Sequence, residues 1–227
     1  MIEHAATEVF AERGYRSASI DEIATRSGVS APVVYDHFES KQDLYRRLLE
    51  RHFAELRAIL RRHMLVDDPP ERRIPTALDA WFGYVQTHPG AARMLFQDTA
   101  GDADVQAIHR KVSSESRAAM LPLLAREPGA AAIAGSDAQE DLDMLWEIVR
   151  AVLQGLALWW YEHEHIPRDR IVATAMNALW IGFQRARDGE TWHAVATIDQ
   201  ATEGVTADHR PASPCQRSAA AASKSPA

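Results

Sequence analysis

The stretch Ser19–Leu44, SIDEIATRSGVSAPVVYDHFESKQDL, decides the fold, because each helix boundary in it carries its own chemical signal. Ser19 followed by Glu22 is a capping box, which predicts a helix that starts at Ile20 and runs through Ile23, Ala24 and Arg26. Gly28 supplies the left-handed turn that ends it. Ser30 is expected to cap a second helix with Pro32 in its first turn, where a missing N–H costs little. That helix, Ala31 to Phe38, should bury Val34 and Phe38 and turn Ala31, Pro32, Val33, Asp36 and His37 outward. Ser40 with Asp43 makes another capping box and launches a long third helix. Two helices joined by a short glycine-containing turn form the helix-turn-helix, the module that lays its second helix in the DNA major groove.

Around this core the spacing is more specific. Ile2-x-x-Ala5-Ala6-x-x-Val9-Phe10 leads into Ala11-Glu12-Arg13-Gly14-Tyr15. Then follow Ile23-Ala24, Gly28-Val29-Ser30, Tyr35-x-His37-Phe38 and Ser40-Lys41-x-x-Leu44. Together these resemble the DNA-binding domain of the TetR/AcrR family of bacterial transcriptional regulators. The resemblance is close over the first 50 or so residues and only architectural afterwards. It implies an all-α protein with a three-helix DNA-binding head on a larger helical body that dimerises and binds a small molecule. In that family ligand binding usually releases the operator, and repression is the usual mode. Glu3 and Thr7 stand where the family often has aliphatic residues. Met1 falls inside the first helix, so the family's preceding basic arm is missing here and the true start is expected upstream.

The contacts with DNA divide by chemistry. Ser19 and Ser30 lie at helix N-termini, where a hydroxyl and free backbone N–H groups can hold a phosphate. The resemblance implies that Tyr35, His37 and Lys41 contact the DNA backbone. Base readout would fall to Ala31, Pro32 and Val33 against thymine methyls, and to Asp36 against a cytosine amino group. None offers the bidentate arginine-to-guanine contact, so modest base specificity helped by DNA shape is expected.

Composition bounds the alternatives. The chain has 227 residues, 46% hydrophobic and 25% charged, enough for one head and one larger body. Its net charge of −7 argues against non-specific nucleic-acid binding, and residues 1–63 carry 10 Lys and Arg against 10 Asp and Glu. DNA affinity must therefore come from where charges sit, with Arg16, Arg26, Lys41, Arg46 and Arg47 as local candidates. The single cysteine, Cys215, excludes an intramolecular disulfide. The longest uncharged apolar run, Ala151 to Tyr161, is about half the ~20 residues of a spanning helix, so no membrane association and a cytoplasmic protein are expected.

The remainder reads as helices. The exit helix carries Leu44, Leu48, Leu49, Phe53, Leu56, Ile59 and Leu60 as one apolar stripe and ends near Asp67-Asp68-Pro69-Pro70. This predicts a DNA-binding domain over 1–63 and an effector and dimerisation domain over 71–190. In the body, helices are expected over Glu71–Thr87, around Met94–Phe96, and from a cap at Asp102 past Pro122, bent there. Pro128–Ala138 reads as a loop. The helix from Gln139 to His165 is apolar on two sides, and Arg168–Arg187 carries small residues suited to close helix approach. A monomer core and a four-helix dimer interface both fit that pattern, and the resemblance favours the homodimer. After Asp199 the Ala, Ser, Thr and Pro content predicts a disordered tail, 199–227.

No Gly-rich phosphate loop, nucleophile elbow or Cys pair occurs, so neither an enzyme nor a cofactor is expected. His163 and His165 in Glu162-His163-Glu164-His165 are two residues apart and cannot share a helix face, so no metal site is assigned. Trp81, Phe82, Tyr84, Trp146 and Trp160 are the aromatics expected to line a largely apolar effector pocket. The reading from another class is a helical ligand-binding or protein-interaction protein whose head no longer grips double-stranded operator DNA.

Overall fold

The computed structural model describes residues 1–97, 102–134 and 138–190; the expected tail at 199–227 lies outside them. Among the described residues there are ten helices and no strand. The first three are α1 (Ile2–Ser17), α2 (Ile20–Ser27) and α3 (Ala31–His37), followed by the exit helix α4 (Lys41–Met64). Then come α5 (Pro70–Thr87), α6 (Pro89–Phe96), α7 (Ala103–Ala125), α8 (Pro128–Ile133), α9 (Ala138–Tyr161) and α10 (Arg168–Arg187). None of them is long and apolar enough to cross a membrane.

The helix-turn-helix forms at the expected boundaries. The Ser19 hydroxyl accepts from Glu22 N–H at 3.1 Å. Gly28 takes φ +71°, and its N–H and that of Val29 close the end of α2 on the Thr25 and Ala24 carbonyls. Ser40 accepts from Asp43 N–H at 3.0 Å and starts α4. Ser30 occupies the N-cap position of α3, but its hydroxyl takes no capping bond. Pro32, the second residue of that helix, has no N–H to give it.

Two further expectations change. Pro128–Ala138 is not a loop throughout: α8 covers Pro128–Ile133 and packs on α10. Its composition hides it, since six residues show no period and Gly129 is there for close approach. A Cβ on Gly129 would lie 2.6 Å from the Phe183 carbonyl oxygen. The helix expected to reach His165 ends at Tyr161, because His163 and Ile166 N–H groups fold back onto Trp160 and His163 carbonyls in a turn before Pro167. Helix α7 runs from Ala103 to Ala125 with Pro122 inside it.

One core joins all of this. Val9, Phe10, Ile23, Val34, Leu44 and Leu48 are buried between α1 and α4, and the same cluster continues through Phe53, Leu56, Trp81 and Phe82. Helix α1 lies on α6, and α4 lies on both α5 and α7.

A polar layer crosses this seam. His52 on α4 is 5% exposed and touches Thr7 Oγ1 through Nε2 (3.3 Å) and Tyr84 Oη through Nδ1 (2.6 Å). Thr7 donates its own proton to the Glu3 carbonyl, so it accepts from Nε2–H. Tyr84 Oη closes the other side of the ring and also bonds the Glu55 carboxylate. Burial first, and then the nearby Arg51 charge, pushes the His52 pKa down to about 4. A second link, Tyr45 Oη to His109 Nε2 at 2.9 Å, ties α4 to α7, and burial also lowers the His109 pKa.

Two outcomes follow from this packing. Gly129→Ala should destabilise the protein by about 1–3 kcal/mol, seen as a lower Tm, because backbone at Phe183 must move. His52 is neutral in the folded chain but protonates near pH 6.5 when unfolded, so its contribution is complete above that pH and is lost as pH falls toward about 4. The loss should amount to roughly 3 kcal/mol in urea unfolding between those pH values, and His52→Gln should flatten that part of the profile.

Candidate nucleic-acid interface and ligand cavity

Helix α3 presents the face that was expected. Val34 is fully buried, and Pro32, Val33, Tyr35, Asp36 and His37 are exposed, with Ala31 half-buried. Tyr35 is 54% exposed, a large aromatic that the fold leaves in water. Ser19 and Ser30 are exposed at the starts of α2 and α3. Apart from Ser19, which caps α2, these residues lie on or just before one short helix anchored by the buried Val34 and Phe38.

Lys41 is placed differently from a solvent-facing cation. Its ammonium donates to the main-chain carbonyls of Tyr15 (2.9 Å), Arg16 (3.3 Å) and Ala18 (3.0 Å) and lies 4.6 Å from the Tyr15 ring centre. The last carbonyls of a helix lack partners and carry its negative dipole end, so a lysine there ties α1 to the start of α4. The arginines nearby are also engaged. Arg26 forks onto Glu12 (2.8 and 2.6 Å) and reaches Glu22, and Arg46 and Arg47 both bond Asp43.

In the body a cavity of about 190 Å³ opens between α4, α5, α7, α9 and α10. Its walls are mainly apolar, with Phe53 and Leu60 from α4, Trp81 from α5, Trp146 and Leu153 from α9 and Phe183 from α10. Of the five aromatics expected at a pocket, Trp81 and Trp146 line it. Phe82, Tyr84 and Trp160 do not. Phe82 is fully buried between Trp81 and Trp160 in edge-on contacts, and Tyr84 belongs to the His52 layer. Trp160 spends its indole N–H on the Ile166 carbonyl at 2.8 Å. Helical spacing cannot separate a core aromatic from a cavity aromatic one or three positions away. Trp180 and Arg57, which sequence reasoning did not single out, line the cavity as well. Among the described residues no group of three His, Cys, Asp or Glu side chains could hold a metal ion. His163 instead stacks on Trp159 with ring centres 4.0 Å apart.

Comparison with known proteins agrees with this geometry. Residues 2–48 match the profile of the bacterial regulatory proteins of the tetR family. Over 179 residues the chain is 36% identical to the HTH-type transcriptional activator FasR of Mycolicibacterium smegmatis, covering 78% of this chain and 79% of that protein. Among solved structures it is similar to the fatty acid degradation regulator FadR of Bacillus halodurans, with a TM-score of 0.65 at 18% identity over 84% of this chain and 98% of that one. FadR of Bacillus subtilis in complex with stearoyl-CoA gives a TM-score of 0.65 at 15% identity, over 84% of this chain and 98% of that one. At those identities the two structures speak for the fold alone, whereas the relative at 36% speaks for descent. With its helix-turn-helix head and helical body, the chain belongs to the TetR family of bacterial transcriptional regulators and is not an enzyme.

Proposed function

We propose that this regulator binds a near-palindromic operator as a homodimer and that an effector with a long apolar chain, held in the body cavity, changes its grip on DNA. The observation that carries this reading is the course of α4. The helix begins at Lys41 beside the recognition helix and lines the cavity with Phe53, Leu56 and Leu60 further along. A ligand that prefers one placement of α4 weakens or strengthens DNA binding by as much as its preference between the two placements. The stearoyl-CoA bound by the similarly folded Bacillus subtilis FadR supports an acyl-chain ligand. The relative in Mycolicibacterium smegmatis is named an activator, which favours activation over the repression usual in the family.

At the operator, Ala31, Pro32 and Val33 face thymine methyls and Asp36 a cytosine amino group, while Ser19, Ser30, Tyr35 and His37 hold the backbone. Lys41 adds charge at that edge and keeps α1 and α4 in register. The head comprises residues 1–63 and the effector body 71–190. For the dimer, α9 exposes Met144, Ile148 and Trp159 at helical spacing, and the neighbouring α10 exposes Ile181. Apolar residues left in water along two adjacent helices suit a four-helix contact with a second copy. That contact sets two recognition helices roughly 34 Å apart, one turn of DNA.

Fluorescence anisotropy against DNA from upstream of the protein's own gene, with scrambled DNA at equal salt, tests the reading. Selective binding that weakens about tenfold or more in Tyr35→Ala is expected, with an acyl-chain ligand altering it. Equal binding to both DNAs would remove the operator assignment. Replacing Ile148 and Trp159 together by Glu should yield monomers in sedimentation and abolish the selective signal.

A further inference from the structure

The cavity walls are apolar except for a few polar side chains, and the charged ones among them are, with one exception, paired with another side chain of opposite charge. Arg150 pairs with Glu147 and bonds Gln154 at 2.7 Å. Arg187 reaches Glu71 at 2.9 Å. Glu127 has both carboxylate oxygens on Arg73 Nη2, at 2.8 and 2.7 Å. Arg57 is the exception. Half-buried on α4, it has a single hydrogen-bond partner among the described residues, the Ser116 hydroxyl on α7, which accepts from Nη1 at 3.0 Å. No carboxylate among the described residues lies within ion-pair distance of it, whereas the other two cavity arginines each have one.

A guanidinium half withdrawn from water against hydrocarbon walls loses part of its hydration, which a neutral serine oxygen replaces incompletely. The arrangement is completed by an anion, which forms stronger, charge-assisted bonds with the fork. Ser116 is buried beside it, and Ser113 lies one turn earlier on α7 and also lines the cavity. Cation and hydroxyls thus gather where α4 faces α7, and the aromatic and aliphatic walls on α5, α9 and α10 hold no competing free charge among the described residues.

We propose that Arg57, with Ser116 and Ser113, is the anchor for an anionic group on the effector, so that the ligand class is an apolar chain bearing a negatively charged end. This rests on the acyl-chain reading above and adds its polarity and orientation. Arg57 lies on the helix that begins beside α3, so an anion drawn to it acts on the element that carries the head. A carboxylate at the chain end and the phosphates of a coenzyme A thioester share the required chemistry.

Binding of palmitate, palmitoyl-CoA and hexadecanol to the full chain, without DNA, tests the assignment through quenching of tryptophan emission; Trp81, Trp146 and Trp180 line the cavity. The wild type should bind at least one of the two anions about tenfold or more tightly than the alcohol. Arg57→Gln should reduce that advantage to within about twofold and leave hexadecanol affinity unchanged, which also reports an intact fold. Arg57→Lys should retain most of it. Loss of the palmitate advantage identifies a carboxylate as the anion, and loss of the palmitoyl-CoA advantage identifies the phosphates. An anion preference that persists in Arg57→Gln overturns the proposal. So does hexadecanol binding the wild type as tightly as both anions, although the acyl-chain reading then stands. If none of the three binds, that reading falls as well.

Discussion

Helix α4 packs under the helix-turn-helix at one end and among the later helices at the other, and this double role constrains everything else. Its 24 residues span about 36 Å, and one apolar stripe runs along that length. Leu44 and Leu48 close the core under the helix-turn-helix, and Phe53 and Leu56 continue the same stripe into the body. A three-helix head of this size has little core of its own, so its stability depends on the helix it shares. Lys41 fixes one end of that helix to the carbonyls that finish α1. The other end meets α5 and α7, and the cavity lies among them. A change in the body that moves α4 therefore has a rigid element through which to act on the head.

Where α1, α4 and α5 meet, the core is not purely apolar. Thr7, His52 and Tyr84 come from three different helices and bond in a row, closed at its ends by the Glu3 carbonyl and the Glu55 carboxylate. Buried polar groups stabilise little on balance but are costly to leave unpaired, so such a layer narrows the ways α1, α4 and α5 can sit together. Thr7 stands where an aliphatic residue is common in the family. The departure makes sense once His52 is seen opposite it, since an aliphatic side chain would leave Nε2–H without an acceptor.

What the sequence made legible was local. Ser19, Gly28 and Ser40 mark their helix ends through bonds within three or four residues, and those ends are where they were expected. The outward face of α3 followed from the burial of Val34 and Phe38. Features that depend on distant partners were hidden. Helix α8 forms against the distant α10, where Gly129 meets Phe183, and six residues rich in Gly and Ala give no periodic signal of it. Phe82 and Tyr84 follow Trp81 on the same helix, yet only Trp81 lines the cavity, because which neighbour each meets is decided by α9 and α4. Arg57 reads in sequence as one of several solvated helix arginines. Its lack of a carboxylate and its bond to Ser116, 59 positions later, exist only in three dimensions.

Three arginines of the head are paired with carboxylates of the same head: Arg26 with Glu12 and Glu22, Arg46 with Asp43 and Glu50, Arg47 with Asp43. Proteins that coat themselves with free cations linger on any stretch of chromosome, because every phosphate releases a counterion to them. A head with those three cations already paired gains less from random duplex. Its search then proceeds more by return to bulk solution than by sliding, and few copies are lost to the millions of irrelevant sites a genome offers. Such a regulator can work at low copy number without high affinity for its operator, since discrimination comes from weak decoys as much as from a strong target.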